Sequence, residues 1–208
     1  MFGGNFQTWK LHSAQDYFMF FAYILAGVLV FWLIAKHMNK QRNHEKAVEK
    51  VSGRLKKICG KPGEVLKNAT LNLPEGKMTF DVVLMDKRGV YLVRTYGWGI
   101  KIYGTPDGAM WRREDAKRKE EFENPLLNLK KGAEEIGKIM EENGVHNLKV
   151  MPMVVFADNY QTPELYLGYG SYSTTYQELK NWYKKQSGVK EVQYDYDKVS
   201  SIIKELAK

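Results

Sequence analysis

FDVVLMDKRGVYLVRTYGWGIKIYG, from Phe80 to Gly104, is the stretch on which the fold turns. Its first half completes MTFDVVLM (Met78–Met85) and its second half contains GVYLVRT (Gly89–Thr95). Both runs are rich in the β-branched and aromatic side chains that suit a pleated, half-buried surface. Between them, Asp86-Lys87-Arg88-Gly89 reads as a hairpin turn, because glycine accepts a positive φ that strains other residues. Two further runs, EVLKNATL (Glu64–Leu71) before the pair and IKIYG (Ile100–Gly104) after it, also read as short strands.

Working outward, NHEKAVEKVSGRLKKI (Asn43–Ile58) places Ala47, Val48, Val51, Leu55 and Ile58 on one side of a helix, and Gly60, Pro62 and Gly63 then break the chain. Downstream, Asn124 suits a helix N-cap, Pro125 the first helical position and Gly144 the point just past the end. Leu126, Leu129, Ala133, Ile136 and Met140 form that helix's apolar stripe, which should pack on the sheet. DAKRKEEFE (Asp115–Glu123), just before it, is charge-dense and reads as a solvated loop or a helix start. VMPMVVFAD (Val150–Asp158) lacks polar alternation, as expected of a strand buried on both faces. Thr175 and Glu178 form a capping-box pattern ahead of Leu179 and Trp182, and Val199, Ile202, Ile203 and Leu206 stripe a C-terminal helix. The order is helix, antiparallel strands, helix, strand, helices: one α/β domain.

A second feature precedes the domain. Tyr17 to Ala35, YFMFFAYILAGVLVFWLIA, is an uncharged run bounded by Asp16 and Lys36. Crossing roughly 30 Å of hydrocarbon takes about 20 helical residues, so the run is just long enough to span a membrane. Aromatic residues lie towards its ends, and LIAKHMNK rather than a small-residue cleavage site follows it, which favours an uncleaved anchor over a signal peptide. Only Lys10 is basic before the run, whereas Lys36, Lys40, Arg42, Lys46, Lys50 and Arg54 follow it. The positive-inside rule then puts the N-terminus outside and the rest in the cytoplasm. The expected organisation is an extracytoplasmic segment 1–16, a transmembrane helix 17–35, a basic juxtamembrane helix 36–58 and an α/β domain 59–208, with the helix over 43–58 belonging to the domain. Ala26 and Gly27 at mid-helix would allow close packing of a second membrane helix, a route to self-association.

The net charge of +8 suits a nucleic acid or an anionic membrane, but the membrane-proximal cluster supplies much of it. The single cysteine, Cys59, excludes an internal disulfide framework and a cysteine-based zinc site. His37 and His44 lack companion ligands and read as solvent- or headgroup-facing. GYGSYS (Gly168–Ser173) lacks the layout of a phosphate loop and reads as a connection. Tyr166, Tyr169, Tyr172, Tyr176 and Tyr183, with Lys180, Lys184 and Lys185, suggest an aromatic-basic surface for single-stranded nucleic acid, a protein contact or a half-buried tyrosine layer.

A strand bearing an aspartate, its GVYLV hairpin partner, a tryptophan downstream and NPLLNL (Asn124–Leu129) opening a helix together resemble the nuclease-related domain, often called NERD. The resemblance runs from about Glu45 to Leu206. It implies a restriction-endonuclease-like mixed sheet flanked by helices, in a family often fused to a membrane helix in bacteria. It also implies a metal-dependent phosphodiesterase site, in which carboxylates hold Mg²⁺ and a lysine steadies the attacking water or the developing charge. Carried over, the family's strand aspartate is Asp81 and its helical glutamate Glu45 or Glu49. Its glutamate-x-lysine pair falls on Arg94 and Tyr96, and a glutamine of its helix start falls on Asn128, with Asn124 and Pro125 intact.

Arginine in place of the acid is worse than a loss. A like charge at about 4 Å costs roughly 4 kcal/mol per unit at an effective dielectric near 20, and Mg²⁺ doubles it. Arg94 is expected to pair with Asp81 instead, and no metal or other cofactor is expected. The leading expectation is therefore a single-pass, cytoplasm-facing membrane protein whose degenerate nuclease-related domain serves as a binding or scaffold module for another protein at the membrane. Two other readings stand beside it. One is an active, Mg²⁺-dependent DNA nuclease whose site has migrated to Lys101 and Glu114. The other is a non-hydrolytic nucleic-acid binder using Arg94, Lys101, Asn124, Asn128, Lys180 and Lys184.

Overall fold

The computed structural model describes residues 14–41, 43–97, 99–116, 118–158, 161–185 and 194–208, without the side chains of 37–41. Lys10, Lys40, Arg42 and the His37 side chain thus lie outside the described residues. The chain divides into two units, Met1–Lys40 and Gln41–Lys208. The first contains α1 (Ala14–Gln41), in which Ala14–Lys36 is long and apolar enough to cross a membrane and is buried nowhere. Its 23 residues would extend about 35 Å at the helical rise.

The second unit is α/β. Its elements are α2 (His44–Cys59), β1 (Glu64–Leu73), β2 (Gly76–Asp86), β3 (Gly89–Tyr96), β4 (Lys101–Gly104), β5 (Met110–Glu114), β6 (Lys119–Glu123), α3 (Pro125–Glu142), β7 (Val150–Phe156), β8 (Glu164–Leu167), β9 (Ser173–Thr175), α4 (Leu179–Lys185) and α5 (Tyr196–Leu206). The central sheet has the order β1-β2-β3-β7-β9. β1, β2 and β3 are antiparallel neighbours, while β7 runs parallel to both β3 and β9, so the sheet is mixed.

The β2–β3 turn closes with Asp86 opposite Gly89, and Gly89 has φ +142°. A Cβ there would run into the carbonyl of Lys149, whose oxygen accepts from the Val90 N–H at 2.8 Å. Only glycine suits the position on both counts.

Two cores form, one on each face of this sheet. On one side Leu126, Leu129, Ile136 and Met140 of α3, with Val199 and Ile203 of α5, pack on Phe80, Val83, Leu92 and Val154. On the other, Ala47, Val48, Val51 and Leu55 of α2, with Leu179 of α4, pack on Val82, Leu84, Val93 and Val155. β7, between two strands and covered on both faces, has no room for polar alternation.

The sequence suggested one sheet; there are two. β6, β5, β4 and β8 form a separate four-stranded sheet in that order. Part of Asp115–Glu123 is therefore a strand, not a loop or helix start. The charges pair across it: Glu120 meets Arg113 at 2.9 Å and Lys119 meets Glu114 at 3.6 Å. Opposite charges facing across an antiparallel pair stabilise it as an apolar pattern would. The last residue of GYGSYS, Ser173, likewise begins β9 rather than ending a loop.

Candidate functional site

β2 and β3 run antiparallel with Val82 opposite Val93. One residue further along each strand stand Asp81 and Arg94. The inward–outward alternation of β2 breaks here, since Phe80 packs in the α3-side core and Val82 in the α2-side core. On β1 the matching irregularity is Asn68, with φ +48°, between the pairs Lys67–Val82 and Ala69–Phe80. Asparagine tolerates this left-handed backbone better than most residues. Asp81 thus sits at a kink shared by two strands.

The Asp81 side chain is 4% exposed. A buried carboxylate is costly unless paired and hydrogen-bonded, and both of its oxygens are engaged. Oδ2 accepts from the Thr95 N–H at 2.6 Å and from the Thr95 hydroxyl at 3.0 Å. Oδ1 accepts from Arg94 Nη1 at 3.1 Å, and His44 Nε2 lies 3.4 Å from the same oxygen. Arg94 Nη2 donates to the Thr79 carbonyl at 2.9 Å, so the guanidinium is fixed from two sides.

A cleft of about 320 Å³ opens over this pair, lined by His44, Arg94, Thr95, Tyr96, Glu123 and Asn128, among others. Asp81 does not line it. Arg94 presents the cleft's guanidinium, and Tyr96 lines it with a phenol. The Tyr96 ring stacks on Phe156 at 5.5 Å and leans on Phe122 at 5.0 Å. Burial pushes its hydroxyl up to about 12, so it is neutral at physiological pH and brings no cation.

These residues do not fit a divalent cation. Mg²⁺ needs oxygen ligands with lone pairs to give, in near-octahedral array. Those of Asp81 are taken up by Thr95 and Arg94, and the adjoining position brings a positive charge. Among the described residues, no group of three or more His, Cys, Asp and Glu side chains could hold a metal ion.

The other sequence candidates scatter. Glu45 is exposed in the first turn of α2, and Glu49 lines a different pocket, between α2 and α4. Lys101 and Glu114 stand opposite each other on β4 and β5 of the second sheet. Glu114 ends a strand, is 16% exposed and is held by Arg112 at 3.0 Å. Asn124 is 2% exposed, and its side chain is used up locally. Its Oδ1 caps α3 by accepting from the Leu126 N–H at 3.0 Å, and its amide donates to the carbonyls of Pro106 at 3.1 Å and Gly108 at 2.7 Å. That placement gives it to the 105–109 loop rather than to a ligand. Asn128 does share the cleft with Arg94, whereas Lys180 and Lys184 share the α2–α4 pocket with Glu49.

The tyrosine surface is likewise divided. Tyr183 is buried, with its hydroxyl on Asp86, while Tyr166, Tyr169 and Tyr172 are exposed. The sequence did not reveal Thr95 or His44 as partners of Asp81. His44, read as facing solvent or headgroups, is half exposed yet reaches the aspartate because α2 docks its first turn there.

Comparison with known families gives one finding. A profile of the nuclease-related domain matches residues 40–157, more than half of the chain. The match stops at Ala157, short of the span to Leu206 that the resemblance suggested, and leaves out β8, β9, α4 and α5. No curated protein and no solved structure matches.

Proposed function

The chain belongs to the nuclease-related domain family, and from that premise we propose that this member is a membrane-anchored binding or scaffold module that has given up the family's metal chemistry. The observation that carries the reading is the Arg94 guanidinium on Asp81, where the resemblance puts a metal-binding acid. A fixed cation there repels a second cation and satisfies the buried aspartate in its stead. The neutral Tyr96 adds to this, because it cannot steady an attacking water as a lysine would. α1 supports anchoring, and the basic residues after it support an orientation with the N-terminus outside and the domain in the cytoplasm. A bacterial origin and a protein partner at the membrane accompany this reading.

One observation favours a second reading. Arg94 is a third exposed and shares its cleft with Asn128, so the former active site offers hydrogen-bond donors suited to phosphate without a means of hydrolysis. A nuclease with a migrated site is less well supported, since Glu114 is engaged by Arg112 and Lys119.

The test is cleavage and retention of labelled DNA by the full-length chain in detergent, with Mg²⁺ or Mn²⁺ and with Asp81→Ala alongside. The expected result is no metal-dependent cleavage by either protein. Cleavage that disappears in Asp81→Ala overturns the reading, whereas salt-sensitive retention without cleavage selects the nucleic-acid binder.

A further inference from the structure

A pocket of about 620 Å³ lies on the α2 side of the central sheet, between α2, α4 and the β2–β3 turn. Its volume is in the range that takes ligands of about nucleotide size. Lys50, Arg54 and Lys57 of α2, Arg88 of the turn, and Lys180 and Lys184 of α4 line it, against the single carboxylate of Glu49.

The two arginines are held in place. Arg54 lies over the Tyr176 ring at 4.7 Å and donates to the Gln177 carbonyl at 3.3 Å. Arg88 lies over the Tyr183 ring at 4.1 Å and donates to the Tyr183 carbonyl at 2.8 Å. Both guanidinium groups are thus oriented by aromatic faces and neutral carbonyls. Guanidinium matches phosphate oxygens in a planar fork, and holding it beforehand lowers the ordering cost of binding.

Gly53 is the third element of the site. A glycine inside a helix is unfavourable relative to alanine, yet a Cβ here would meet nothing within 4 Å. What its missing side chain leaves open is the pocket, which Gly53 lines.

We propose that this groove binds a ligand carrying clustered phosphate groups, supplied either as a soluble polyphosphate or as a phosphorylated lipid headgroup. The site is separate from the Arg94 cleft. Four of its eleven lining residues, from Tyr176 to Lys184, lie beyond the family match, and none of them belongs to the Arg94 cleft.

The experiment titrates inorganic tripolyphosphate and inositol trisphosphate, separately, into the full-length chain in neutral detergent, with calorimetric readout. Three variants accompany the wild type: Gly53→Ala, Gly53→Glu and the double change Arg54→Gln with Arg88→Gln. Wild type and Gly53→Ala should bind at least one titrant. Gly53→Glu, which puts a carboxylate in the groove while improving helix propensity, should weaken it by about tenfold or more, the factor for losing one charge-assisted contact. The double variant should do the same, and circular dichroism checks that both variants are folded.

If the double variant does not fold, Gly53→Glu decides alone. Tighter binding of tripolyphosphate identifies a soluble ligand, and tighter binding of inositol trisphosphate a headgroup. Absence of binding to wild type overturns the proposal, as does undiminished binding to folded Gly53→Glu. Binding of a single-stranded oligonucleotide that is lost in folded Gly53→Glu, with no binding of either titrant, also overturns it, by giving the groove to nucleic acid.

Discussion

Arg94 donates to Asp81 at 3.1 Å across neighbouring strands of the central sheet, and the same guanidinium reaches back to the Thr79 carbonyl at 2.9 Å. The pair ties β3 to β2 at the kink where both cores meet the sheet. Arg94→Ala leaves Asp81 buried with only Thr95 and His44 beside it, and should destabilise the domain by about 1.5–3 kcal/mol, the range for a hydrogen bond to a charged group. Arg94→Lys, which cannot bond Asp81 and Thr79 at once through a planar fork, should recover only part of that. Chemical denaturation of the two variants checks the order.

Asn124 joins contacts to the loop carbonyls of Thr105, Pro106 and Gly108 to a helix cap. Asn124→Ala loses the cap of α3 and frees the 105–109 loop that holds Trp111 through its indole N–H, 2.8 Å from the Thr105 carbonyl. A loss of about 2 kcal/mol is expected from the cap and amide bonds together. Trp111 fluorescence should shift to the red as the loop loosens.

Two glycines of α3 should behave oppositely. A Cβ at Gly132 would lie 2.8 Å from Phe80 Cζ, whereas one at Gly137 meets nothing within 4 Å. Gly137→Ala should stabilise by about 0.5–1 kcal/mol through helix propensity alone. Gly132→Ala gains the same propensity but pushes Phe80, and should be net destabilising by about 1 kcal/mol or more. Thermal melts of the two variants give the sign directly.

Glu64 holds α5 to β1. Its Oε1 is 2.9 Å from Lys204 Nζ and its Oε2 accepts from the Ser200 hydroxyl at 2.8 Å. Lys204, chiefly by its hydrogen bond, holds the Glu64 carboxyl below the usual glutamate range. A lowered folded-state value means stability that is present above the ordinary glutamate pKa and lost as pH falls through the lower one. The pair is largely solvated, so Glu64→Gln should cost only about 0.5 kcal/mol at neutral pH. The difference between variant and wild type should close on acidification, which a denaturation series against pH would show.

Much of the central sheet and its helices was legible because each element carries its own periodic signal. The stripes of α2 and α3 and the cap Asn124 are local facts, and the structure uses all of them; the cap at Asn43 was not read from the sequence. The second sheet was not legible. β6 reads KEEFE and gains its strand character from ion pairs to β5 and from Phe122 packing near Trp111 at 6.3 Å, which no single run reveals. The meeting of Asp81 and Arg94 was expected from the family resemblance, which puts both residues in one site, and from their opposite charges. Thr95 and His44 could not be read in the same way, since one depends on the β2 kink and the other on how α2 docks. The α2–α4 groove joins residues more than a hundred positions apart, and only the fold brings Arg54 to Gln177.

We propose that Arg94 occupies the place of a metal ligand. Calorimetric titration of Mn²⁺ into the full-length chain, its Arg94→Glu variant and its Asp81→Ala variant tests it most directly. No binding by wild type and measurable binding by Arg94→Glu, which restores a second acid beside Asp81, is the predicted outcome. Mn²⁺ binding by wild type that vanishes in Asp81→Ala would contradict the account and return the chain to the metal-dependent nucleases.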